Sequence, residues 1–198
     1  GNYNVTVGDE AGTAITTGDE NTVLGYRSGD AITTGTKNTA LGTESLSADT
    51  LGSNSVAIGR SALANQNFTS ATDAYNTAVG ARAGVEVTTG VQNTLIGGLA
   101  GDAFTDADYN TGVGFGTLGA DTLGSRSVAI GSSALGAQNF TSATDVYNVA
   151  VGVLAGAAVS TGVHNTFIGG LAGDATDDGN RNTAVGKGAL SANCGDDN

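Results

Sequence analysis

Apolar positions in this chain follow neither helical spacing nor long buried runs. They return in a short unit, Asn-Thr-x-aliphatic-Gly, at a fixed interval. The unit closes at Gly8, Gly25, Gly42, Gly59, Gly80, Gly97, Gly114, Gly131, Gly152, Gly169 and Gly186. Successive glycines lie 17 residues apart except for two intervals of 21. Such a period marks a stacked architecture, in which each copy buries its apolar side chains against its neighbours. A longer period overlies it: Ser55-Val56-Ala57-Ile58-Gly59 returns 72 residues later as Ser127-Val128-Ala129-Ile130-Gly131. Four coils therefore form a super-repeat, as in 55–126 and 127–198, within one repeat domain spanning 1–198.

The residue before each glycine is aliphatic in all eleven copies, from Val7 and Leu24 to Ile168 and Val185. Two residues earlier stands Val or Thr. Side chains two apart share one face of a strand, and β-branched residues suit a pleated surface. This larger pair is predicted to point inward. The residue between them is Thr6 in the first copy and apolar or Gly thereafter. A strand facing water alternates apolar and polar; two apolar faces call for cover on both sides. In a thin solenoid another chain supplies that cover. The expected self-association face is Val23, Ala40, Ala57, Ala78, Leu95, Ala129, Ala150, Phe167 and Ala184.

After each glycine, the third residue is small and the fourth alternates between Gly and Leu. A second short strand is predicted at Ile15-Thr16-Thr17-Gly18 and its equivalents, giving two strands of roughly five residues and two corners per coil. Eleven coils, each advancing by one strand spacing of about 4.8 Å, make a rod on the order of 50 Å long. The Asn that opens most units, Asn21 or Asn93 for example, is placed to bond corner backbone in a stacked ladder. The fold class is all-β, a two-sided parallel β-solenoid; a three-sided helix is the alternative, because only one side of the coil is uniformly aliphatic.

Composition agrees. The chain has 198 residues with 33 Gly and no Pro, Met or Trp, which suits a thin core of small side chains. A net charge of −12 disfavours nucleic acid and anionic membrane surfaces. No apolar run reaches the roughly 18 residues of a membrane-spanning helix. Cys194 is the single cysteine, so no disulfide forms within the chain. His164 is the single histidine, too few for a His-rich metal site in one chain. No catalytic function and no cofactor is expected, and the role of an enzyme is set aside.

Asn54-Ser55-Val56-Ala57-Ile58-Gly59 resembles the signature of the head repeats of trimeric autotransporter adhesins, whose resemblance implies a left-handed parallel β-roll with three chains side by side. The longer form, Asn-Thr-x-aliphatic-Gly-x-x-Ala-Gly with a later Thr-Thr-Gly, is similar to repeats of phage tail fibres. The coil here is somewhat longer than in the adhesin heads.

The two 21-residue coils carry the only insertions, and with them the candidate receptor contacts Asn67, Phe68, Thr69 and Tyr75, repeated as Asn139, Phe140, Thr141 and Tyr147. Loops on a rigid scaffold carry recognition, and aromatic residues are effective anchors; the competing reading is a corner that packs its own Phe on the rod. Acidic corners at Asp102, Asp106 and Asp108, and at Asp174, Asp177 and Asp178, offer oxygen ligands for Ca²⁺; a solvated acidic edge is the plainer reading. Taken together, the expectation is an extracellular homotrimeric fibre, a phage tail fibre that attaches to a host glycan or protein. A bacterial adhesin head, an end-to-end structural filament and an ice-binding Thr array are the alternatives. The chain opens three residues before its first unit without a polar cap, which suits a fibre segment or a stacking unit.

Overall fold

The computed structural model describes all residues, 1–198. It is a parallel β-solenoid: eleven strands, one from each repeat, form a single sheet in chain order. Register is exact from coil to coil, as in Thr22↔Thr39, Val23↔Ala40 and Leu24↔Leu41. The 21-residue coils keep it, pairing Val56↔Thr77 and Ile58↔Val79, so each insertion bulges away from the sheet without shifting the ladder.

Each coil contributes one strand of only three residues, such as Thr94–Ile96. The second five-residue strand predicted at Thr-Thr-Gly is absent as regular structure. Those segments are turns, in which the Thr33 carbonyl accepts from the amides of Thr16, Thr17 and Gly18 in the coil before. A second strand pairing occurs only beside the insertions, Gly52–Ser53 with Thr72–Asp73 and Gly124–Ser125 with Thr144–Asp145. The turn wall is also joined coil to coil, as by the Gly12 amide to the Ser28 carbonyl at 3.0 Å and the Gly29 amide to the Ser45 carbonyl at 2.9 Å.

Two ladders explain the strictest sequence positions. The closing glycines adopt φ between +121° and +141°, a region essentially confined to Gly. They also stack directly: a Cβ on Gly80 would stand 2.5 Å from the Gly97 carbonyl. The opening Asn residues from Asn21 onward are buried and bonded on both sides. Asn93 accepts from the Asn110 amide at 3.0 Å through its Oδ1 and donates to the Ala107 carbonyl at 2.7 Å through its Nδ2. Leaving such buried backbone groups unpaired would cost about 1–3 kcal/mol each, so the repeat tolerates little else there.

The parity of the strand is the reverse of the prediction. Val23, Ala40, Ala57, Ala78, Leu95, Ala129, Ala150, Phe167 and Ala184, expected on an outer self-association face, form the inner row and are buried within their own chain. The aliphatic residues before each glycine point outward; Leu95 is 0% exposed and its neighbour Ile96 is 39% exposed. The cause is the narrow interior. The wall opposite the strand already inserts bulky side chains, including Leu46, Leu63, Ile32 and Phe104, so the inner strand position holds Ala or Gly unless that wall recedes.

That wall recedes by rule. At the fourth position after the glycine both residue types are left-handed, φ +57° at Gly84 and +48° at Leu63. Where this position is Leu, the seventh is polar: Leu46 with Asp49, Leu63 with Gln66, Leu118 with Asp121, Leu135 with Gln138. Where it is Gly, the seventh is apolar in five of six coils: Ile15, Ile32, Val87, Phe104 and Val159, with Thr176 the exception. The larger inner strand residues sit between Gly coils. A Cβ on Gly84 would meet Leu95 at 2.9 Å and Leu63 at 3.0 Å, and one on Gly173 would meet the Phe167 ring at 2.5 Å. Three positions thus share one fixed cross-section.

Candidate functional site

Three surface features stand out on this scaffold: the outer strand face, the inserted corners, and a stacked row just before the strand. The strand face is two residues wide. One row is Thr or Val, and the other is Val7, Leu24, Leu41, Ile58, Val79, Ile96, Val113, Ile130, Val151, Ile168 and Val185. Every member of the aliphatic row is exposed or half-buried, and no charged side chain interrupts either row. Parallel pairing in exact register makes the rows straight.

The inserted corners are anchored from below. In the two coils where Ser55 and Ser127 replace the ladder Asn, a buried glutamine supplies the missing amide. Gln66 donates from Nε2 to Asp49 Oδ2 at 2.6 Å and to Ser55 Oγ at 3.1 Å, and its Oε1 accepts from Asn76 Nδ2 at 2.8 Å. Gln138 repeats this with Asp121, Ser127 and Asn148. Asp121 Oδ1 also accepts from the Gly124 and Phe140 amides, tying the carboxylate to the insertion. Burial pushes the Asp49 and Asp121 carboxyls above the ordinary range; their hydrogen bonds oppose that shift without cancelling it.

Above these anchors, the sequence candidates separate into two groups. Phe68 and Phe140 are buried, 5% and 8% exposed, and are withdrawn as receptor contacts. The rings are pinned inward because their backbone is held on both sides; the Phe140 carbonyl, for instance, accepts from Leu123 N and Thr122 Oγ1. Asn67, Thr69, Asn139 and Thr141 are exposed, as are Ser70, Ala71, Ser142 and Ala143 at the tips. Tyr75 and Tyr147 are exposed as well. Asn67 and Asn139 use Oδ1 to accept from Thr50 and Thr122.

Tyr147 belongs to a row that sequence reasoning missed. The residue preceding the ladder Asn is left-handed in successive coils and projects along one edge. Here the Arg126 guanidinium lies 4.5 Å from the Tyr109 ring centroid and 5.9 Å from that of Tyr147. Tyr147 in turn stacks on His164, centroids 5.6 Å apart and planes 11° from parallel. Arg126 Nε also donates to Asp145 Oδ1 at 2.8 Å. The signal was present as Tyr, Arg, Tyr and His at one repeat position. The corresponding neighbours of Tyr75 are Asn54 and Gln92, so the two inserted corners present their tyrosines in different company.

Three of the acidic-corner carboxylates bond within the rod, while Asp174 Oδ1 is buried without a hydrogen-bond partner. Asp106 accepts from Thr89 Oγ1 at 2.6 Å, Asp108 from the Val91 amide at 2.7 Å, and Asp177 from Ser160 Oγ. No three Asp, Glu, His or Cys side chains converge in a metal-binding arrangement. Comparison with protein-family profiles, curated proteins and solved structures gives no match to the chain.

Proposed function

We propose that this chain is a rigid structural and adhesive segment of a homotrimeric extracellular fibre, of the phage tail-fibre kind, presenting attachment sites to a host-surface glycan or protein. The observation that carries the reading is the outer strand face: an outward-facing aliphatic row, exposed or half-buried in each of the eleven coils of a chain whose net charge is −12. An uninterrupted apolar stripe on a protein surface marks an interaction site. A partner that fits it along its length needs the same period of about 4.8 Å, and a second copy of the chain has it. The contact surface is therefore the Thr and aliphatic rows, in place of the alanine row expected from sequence. The inserted corners remain the sites of attachment, now through Asn67, Thr69, Tyr75 and their counterparts Asn139, Thr141 and Tyr147. Asn54-Ser55-Val56-Ala57-Ile58-Gly59 favours a second reading, the head of a bacterial trimeric adhesin, which makes the same demand on the strand face.

The test is the mass of the intact assembly in solution. The reading expects three chains at micromolar concentration. A monomer under those conditions would remove it.

A further inference from the structure

The strand face is narrow. Two residues wide and about 50 Å long, it presents roughly 350 Å² of flat area, against about 800 Å² per partner in a specific interface. Further surface has to join it. On one side it is bounded by the closing glycine alone, followed by the first two corner positions of the next coil.

Those two positions divide the first ten coils into two halves; after the eleventh glycine they are Lys187-Gly188. After the first five glycines they read Asp9-Glu10, Tyr26-Arg27, Thr43-Glu44, Arg60-Ser61 and Ala81-Arg82, with a charge in every coil. After the next five they read Gly98-Leu99, Phe115-Gly116, Ser132-Ser133, Val153-Leu154 and Gly170-Leu171, with no charge in any coil. Phe115 is 59% exposed and Val153 55%, and Leu154 and Leu171 are exposed beside them. Phe115 reaches over the coil before it: a Cβ on Gly98 would touch its ring at 3.5 Å.

We infer that the corners of residues 98–171, continuous with the aliphatic row, form the principal contact with a second copy of this chain. The half of the rod at 9–82 then associates through the strand face alone. This rests on the reading of the chain as a parallel homotrimer. Cyclic symmetry sets equal levels of the chains against each other. Where these corners meet around the three-fold axis, Glu10, Arg27, Glu44 and Arg82 would each face their own symmetry copies, which is unfavourable. Arg27 is instead occupied within its own chain, 3.2 Å from both Glu10 and Asp30. At Phe115, Val153, Leu154 and Leu171 close approach buries apolar surface with no charge to desolvate.

Two variants with equal added charge separate the halves. One carries Phe115→Asp, Val153→Asp and Leu171→Asp; the other carries Tyr26→Asp, Thr43→Asp and Ala81→Asp. All six positions are exposed in the single chain, and circular dichroism checks that each variant folds. Sedimentation equilibrium then reads association. The expected result is association weakened roughly 100-fold or more for the first variant, as for buried unpaired charges, and by less than about 10-fold for the second. A milder pair, Phe115→Ser with Leu171→Ser, should shift association in the same direction. Equal effects of both charged variants, or an effect of neither, would overturn the inference while leaving the trimer standing. A monomeric parent protein would instead remove the reading beneath it.

Discussion

At the scale of the residue, the chain solves one problem repeatedly: satisfying buried backbone polarity in a rod too thin for a conventional core. The Asn ladder does so in most coils. Where Ser55 and Ser127 shorten it, Gln66 and Gln138 reach in from the opposite wall, and each brings a buried carboxylate. The carboxyls of Asp49 and Asp121 stand above the ordinary value of 3.8 because burial disfavours their charge. With a folded value above the unfolded one, the folded state holds more protons in that window, so their contribution is fully present below about 3.8 and is lost as pH rises through the shifted value. Melting temperature should therefore climb as pH falls from 7 toward 4. Relief of the net negative charge adds to the climb in every variant, so the diagnostic is the difference in slope. The pair Asp49→Asn and Asp121→Asn should flatten the profile measurably, and an unchanged slope would show that these carboxyls are not the buried groups described here.

At the scale of the element, the repeat was legible and its parity was not. The closing glycines, the Asn ladder and the 17-residue coil follow directly from residue spacing, because backbone stacking permits almost nothing else at those positions. Which strand face lies inside is set differently. In Thr94-Leu95-Ile96 both faces are apolar, and three residues give alternation no purchase. The deciding information is volume contributed from across the interior, by Gly84, Val87 and Leu63 against Leu95. It was available as the reciprocal pairing of fourth and seventh positions, which is visible only once the two are compared within each coil. The Tyr109–Arg126–Tyr147–His164 row was similarly present in the sequence but acquires meaning only when the corner is known to project. The shared cross-section makes a specific forecast. Gly84→Leu alone should destabilise by about 1–3 kcal/mol through overpacking, and Leu95→Ala alone by about 2–5 kcal/mol through a cavity. Combined, they should recover part of the loss, with a favourable coupling of about 0.5–3 kcal/mol in denaturant melts. Strict additivity would show that the two side chains do not compete for space.

At the scale of the whole molecule, the consequence of the reversed parity is a change of contact surface. The alanine row lies inside and cannot meet another chain; the Thr and aliphatic rows lie outside, straight and uncharged. A rod in which every coil repeats one outer pattern presents its departures, the two inserted corners, at intervals of four coils, or roughly 19 Å along the axis. Three parallel copies would multiply those corners on one stiff support, which favours attachment through several weak contacts at once. Fibre, adhesive role and inserted corners all depend on which row meets its neighbour. Disulfide trapping reads this directly in single-cysteine chains carrying Cys194→Ser. Ile130→Cys should form covalent interchain species on mild oxidation, and Ala129→Cys should stay unlinked and unreactive to a soluble thiol reagent. Linkage through residue 129 with none through residue 130 would contradict the account.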